Sequence, residues 1–188
     1  EGEYILPENP IIMRMFEILD CKWKVDPETG EERWLEVIRA VVDGSSDKRT
    51  EGSYPETPDR SILLMMLSFG ATLGEESITA DAVRAYLNAE ALDPNLVVIG
   101  SKYMTTLPKM GLLNKGLYGT TKGALGWEVW VEKRLVDEGN FSKCHIPRSI
   151  YIKEEEGEIV RLLRHSDFRM SSRSHEALET VAKEISSK

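Results

Sequence analysis

Residues 149–170, "SIYIKEEEGEIVRLLRHSDFRM", constrain this chain more than any other stretch. "SIYIK" and "EIVRLL" flank an acidic turn with Gly157, the pattern of two strands joined by a tight connection. Leu162 and Leu163 then lead into a short polar turn holding one aspartate, Asp167, before the sequence returns toward apolar residues. A strand that runs in, turns and runs out is expected there. The closing "SHEALETVAKEISS" predicts an amphipathic helix, with Ser174 as its cap and Ala177, Leu178, Val181 and Ile185 on one face.

The earlier sequence supplies the remaining elements. "CKWKVDPETGEERWLEVIRAVV" reads as two strands around "DPETG", with proline and glycine where a hairpin turn wants them. "DGSSDKRTEGSYPETP" is a polar loop. "DRSILLMMLSFGATLG" is apolar nearly all round and predicts a buried helix with Asp59 near its start. "ESITADAVRAYLNAEA" begins as a strand and passes into a turn or short helix, and "NLVVIG" and "KYMTTLP" read as short strands. "TKGALGWEVWVEKRLVDEG" predicts a helix stopped by Gly139. Trp127 and Trp130 in it have core-like helical spacing, and Trp23 alternates as a buried strand residue does. The order of elements is an α+β pattern.

The longest apolar run, "SILLMMLSFGATLG", falls short of the ~18 residues of a membrane span. Two cysteines, Cys21 and Cys144, speak against a disulfide framework and for reduced thiols in an intracellular protein. The compartment is open, and an organelle fits if a targeting segment has been removed. No histidine or cysteine spacing cages zinc. The net charge is −8, of which residues 1–60 carry −7. Such an acidic front repels phosphate backbones.

Seven segments in order resemble the reverse-transcriptase domain of copia-type retrotransposons. "CKWKVDPETGEERW" is similar to the family's finger hairpin, and "IRAVVDG" to its next strand. "YPETP", "ITADAVRAYLNAEAL", "KYMTTLP" and "LNKGLYGTTKGALGW" follow with near-family spacing. "VRLLRHSDFRM" falls where the family has its tyrosine-valine-aspartate-aspartate turn. The resemblance spans residues 16–185. It implies a reverse-transcriptase-like fingers hairpin and palm without a thumb over 16–188, preceded by an extended segment over 1–15.

Polymerases of this family transfer nucleotides with two metal ions, held by one palm aspartate and two turn aspartates. Asp81 aligns with the first. At the turn, Arg164 and His165 replace tyrosine and valine, Ser166 replaces the essential aspartate, and Asp167 keeps the second. Serine is a poor magnesium ligand. Arg164, His165, Arg169 and Arg173 add positive charge, each close like charge costing ~1–4 kcal/mol at surface-like dielectric. The family's finger lysine falls on Val37, with Arg39 at the arginine position; its glutamine falls on Lys122 and its later arginine on Leu125. The triphosphate therefore loses most of its partners.

The expectation is a pseudoenzyme with no catalytic residues, metal or cofactor, serving as a structural or protein-interaction subunit of a larger assembly. The alternative is an RNA-binding module of a ribonucleoprotein particle, gripping phosphates with Arg164, His165, Arg169 and Arg173. A residual RNA-directed DNA polymerase is the remote third reading. Outside the resemblance, Asp81 and Asp167 read as ordinary strand-end and turn acids.

Overall fold

The computed structural model describes residues 7–26, 28–47, 58–93, 95–100, 110–164 and 167–186. The expected strand "KYMTTLP" and the "YPETP" segment lie outside these, apart from Pro58. The chain divides into two compact units, 1–54 with 89–126, and 55–88 with 127–188.

The first unit is built on a four-stranded sheet. Its strands are β1 (Ile11–Val25), β2 (Glu32–Val42), β4 (Leu96–Ile99) and β5 (Met110–Leu112), in the order β2-β1-β4-β5. β1 starts at Ile11, so the last five residues of the expected extended segment over 1–15 belong to this strand. β1 runs parallel to β4 through residues 11–14 only. From Met15 to Val25 it pairs, among the described residues, with β2 alone, in a register that opposes Trp23 and Trp34. The "DPETG" turn forms as its composition predicts. Asp26 accepts a backbone hydrogen bond from Gly30 at 2.8 Å, and its carboxylate takes the Glu28 N–H at 2.9 Å. That N–H, more than the nearby Arg33 guanidinium, holds the Asp26 carboxyl below its ordinary range.

Gly119 closes the unit. Its φ of +90° is the left-handed side, and a Cβ there would strike the Val42 carbonyl. This close approach lets the Tyr118 carbonyl accept from Val42 N–H at 2.8 Å, fastening "LYG" to the end of β2. Met13, Val42, Leu96 and Val98 form the unit's core.

The second unit is a five-stranded sheet in the order β3-β9-β8-β7-β6. The strands are β3 (Glu76–Ala80), β6 (Ser142–Lys143), β7 (Ile150–Glu155), β8 (Glu158–Arg164) and β9 (Phe168–Ser172). All its ladders are antiparallel. β7 and β8 meet in a two-residue turn, Glu156 and Gly157, both at positive φ, as the tight hairpin requires. The strand-turn-strand pattern of "LLRHSDFRM" is present, with Arg164 opposite Phe168.

Period-two alternation gives this sheet two apolar faces. Val160, Leu162, Phe168 and Met170 pack against Trp127, Val131 and Leu135 of α3 (Gly123–Glu132) and its continuation, and against Ala177, Leu178 and Val181 of α4 (His175–Ser186). On the other face Ile150 and Leu163 meet Met66 of α1 (Arg60–Leu73), with Ile62 and Leu63 packed alongside. A four-residue α2 (Ala85–Asn88) follows β3.

Caps form where the sequence predicts them. The Asp59 carboxylate accepts from Ser61 N–H at 2.7 Å, and Ser174 Oγ accepts from Ala177 N–H at 3.1 Å. Two expectations change. α1 is apolar all round yet buries only Met66 and Gly70, leaving Leu64, Met65 and Phe69 half exposed. The helix expected to run to Gly139 turns π-helical over Lys133–Glu138, and Asn140, not Gly139, takes the left-handed conformation.

His175, in the first turn of α4, is exposed and bridges Glu76 of β3 and Glu179 of α4. The hydrogen bond to Glu76, before the charge effects, raises its pKa above 6.5. A raised cationic pKa contributes stability that is fully present below 6.5 and lost as pH rises through the folded value. Urea midpoints followed upward from pH 6 should therefore fall more for the wild type than for Glu76→Gln. Parallel pH profiles would show that the bridge contributes nothing.

Candidate functional site

The sheet end that carries Asp81 and Asp167 is the first candidate. The β3–β9 ladder closes on Ala80 opposite Phe168. Asp81 and Asp167 are the next residues outward on these adjacent strands, and both are exposed. They open onto different spaces. Asp81 lines a cavity of about 320 Å³ with Val83, Trp127, Trp130, Phe141 and Phe168. Asp167 lines one of about 430 Å³ with Arg60, Leu63, Thr79 and Arg169. The carboxylates share a sheet end without sharing a cavity. Among the described residues, no three His, Cys, Asp or Glu side chains are grouped to hold a metal ion. His165 and Ser166 lie outside the described residues.

Arg164 departs from its expected place. The resemblance puts it at the surface as an RNA or partner contact, but its side chain is buried on the face covered by α3 and α4, and its Nη2 donates to Glu128 Oε1 of α3 at 2.8 Å. The cause is parity: Arg164 shares a sheet face with Val160 and Leu162, so its guanidinium enters the core and needs an internal anion. Tyr151, fully buried on the same face, has its phenol pKa pushed up by burial, which outweighs the lowering effect of Arg164. Arg173 is exposed, and its Nε donates to the Leu73 carbonyl at 3.1 Å, closing the C-terminus of α1. Arg169 is half-buried beside Asp167 in the same cavity wall.

The positions that the resemblance aligns with the family's nucleotide contacts, expected to be degenerate, belong to the first unit, and Asp81 and Asp167 belong to the second. Val37 is half-buried on β2. Arg39 is held by Asp20 at 3.0 Å, and Lys122 by Asp93 at 3.3 Å. Leu125 is half-buried in α3.

The second candidate is the hairpin β1–β2. On one face the cross-strand rows run Met15/Val42, Glu17/Ala40, Leu19/Ile38, Cys21/Glu36, Trp23/Trp34 and Val25/Glu32. The base of this stripe joins the unit's core through Met13 and Val42, with Met15 packed against it. Beyond the base, the same stripe is open to solvent: Leu19 is 74% exposed, Trp34 66%, Ile38 65% and Trp23 55%. Trp23, expected to be a buried strand residue, is therefore a surface residue, in edge contact with Trp34 at 5.7 Å between centroids. Trp127 is buried and Trp130 half-buried, as their spacing predicts. The sequence signal for the long open ribbon is the length of the hairpin, whose arms outrun the short strand "NLVVIG" that pairs beside them.

No protein-family model matches the chain, and no curated protein matches it either. Among the described residues, no helix is long and apolar enough to cross a membrane.

Leaving either partner of the Arg164–Glu128 pair alone in the core is costly. Arg164→Ala should lower unfolding free energy by ~3–5 kcal/mol, and Arg164→Met with Glu128→Met should recover most of it. Urea denaturation measures both. An Arg164→Ala loss below ~1 kcal/mol would mean that the guanidinium is solvated.

Proposed function

We propose that this chain is a catalytically inactive relative of copia-type reverse transcriptases, acting as a structural or protein-interaction subunit of a larger assembly. The observation that carries the interaction role is the hairpin stripe, buried at its base and open along its length. An apolar stripe of two tryptophans, a leucine and an isoleucine on one ribbon face is the kind of surface a partner covers. The outward residues of α1, Leu64, Met65 and Phe69, add a second apolar surface in the second unit.

Inactivity is supported by Ser166 at the position of the essential turn aspartate and by the separate cavities of Asp81 and Asp167. It is also supported by the engagement of Arg39 and Lys122 with neighbouring carboxylates, which compete with a triphosphate. The RNA-binding alternative keeps Arg169 and Arg173 at or near the surface, but not Arg164.

The test is the native size of the tagged protein in extracts of its own cells, with and without RNase. The expected result is a particle that survives RNase and releases the chain when Leu19→Ser and Trp34→Ser are combined. Collapse under RNase would favour the RNA-binding reading. A free chain in every condition would overturn both.

A further inference from the structure

The two faces of the hairpin β1–β2 carry opposite charge. On the stripe face, alternate rows place Glu17, Glu36 and Glu32 between the apolar rows, and no lysine or arginine stands on that face between Met15 and Val25 or between Glu32 and Val42. The opposite face holds Lys22, Lys24, Arg33 and Arg39, with Asp20 as its one acid over the same rows. Successive same-face rows are ~7 Å apart, so each apolar row has a carboxylate row directly beside it.

This pattern selects among occupants. Covering Trp23 and Trp34 takes water away from Glu32 and Glu36 on the neighbouring rows. A buried carboxylate without a partner is strongly unfavourable. A neutral apolar partner would leave these acids unpaired. A second copy docking through the same face would set acids against acids, and phosphate of a nucleic acid or an anionic lipid would meet the same repulsion. A partner that brings its own cations satisfies the acids and covers the tryptophans together.

We infer that the stripe face of the β1–β2 hairpin docks a basic, amphipathic protein segment, its large apolar side chains seated on Leu19, Trp23, Trp34 and Ile38 and its lysines or arginines paired with Glu17, Glu32 and Glu36. The inference rests on the interaction role proposed above and supplies the chemistry of the partner.

The test uses the purified full chain and three short amphipathic peptides of one apolar pattern. Their polar positions are all lysine, all glutamine or all glutamate. Binding is followed by calorimetry and by the fluorescence of the chain's tryptophans. The lysine peptide should bind about tenfold tighter than the glutamine peptide, and the glutamate peptide should not bind. Combining Glu17→Gln, Glu32→Gln and Glu36→Gln should remove that preference. Combining Glu154→Gln, Glu156→Gln and Glu158→Gln changes net charge equally at a different hairpin and should leave it intact.

Equal loss in both triple variants would reduce the preference to bulk charge and overturn the inference. Equal binding of the lysine and glutamine peptides, abolished by Trp34→Ala, would overturn the basic class while leaving the docking face standing. Lysine-peptide binding that survives Trp34→Ala combined with Leu19→Ser would remove the face itself, and the interaction role with it.

Discussion

A two-stranded ribbon cannot bury its own faces, and this constraint shapes the first unit. Through residues 11–14, β1 has β4 on one side, and its base contributes to a packed core. Past that point its one pairing among the described residues is with β2. The alternation that puts Met13 in the core then puts Leu19, Trp23, Trp34 and Ile38 into water. A tryptophan side chain offers ~150–250 Å² of surface. At ~25 cal/mol per Å², covering the exposed parts of the pair is worth several kcal/mol before the cost of association. A partner covering that face would claim this gain, which is why the stripe supports the proposed interaction role.

The second unit resolves the same problem internally. Its sheet has helices on both faces, so each strand's alternation finds cover: α1 on the side of Leu163 and Ile150, α3 and α4 on the side of Leu162 and Met170. Parity then decides the fate of charged residues at the turn. Arg164 falls on the side covered by α3 and α4 and is neutralised by Glu128, while Arg161, on the α1 side, pairs with Glu75 and lies over the Phe69 ring at 5.2 Å.

Local signals carried much of this architecture. The two hairpins, the caps at Asp59 and Ser174 and the apolar face of α4 follow from alternation, turn residues and helical spacing. What escaped was non-local. Arg164 reads as a surface cation because its partner, Glu128, lies 36 residues earlier on another element. The composition of α1 predicts burial all round, but a helix lying on one sheet face buries one stripe, here through Ile62, Leu63 and Met66. Alternation reads Trp23 as buried, and it is exposed; whether anything packs on its face is a property of the strand's neighbours, which alternation cannot encode. At the candidate site, the sequence relates Asp81 to Asp167 only through the resemblance; the β3–β9 ladder is what sets them side by side. Their separation into two cavities depended on α1, α3 and α4 packing from opposite sides.

Cys21 lies on the open stripe between Leu19 and Trp23, exposed, and so reports directly on whether that face is covered. The decisive measurement is its alkylation rate in native extract and in the isolated protein, with half-buried Cys144 of the second unit as internal reference. The account predicts that Cys21 reacts at the rate of an open thiol in the isolated chain and is slowed at least about tenfold in the native extract, while the Cys144 rate is unchanged. Equal Cys21 rates in the two states would mean that the stripe stays bare where the protein works, contradicting the proposed interaction role.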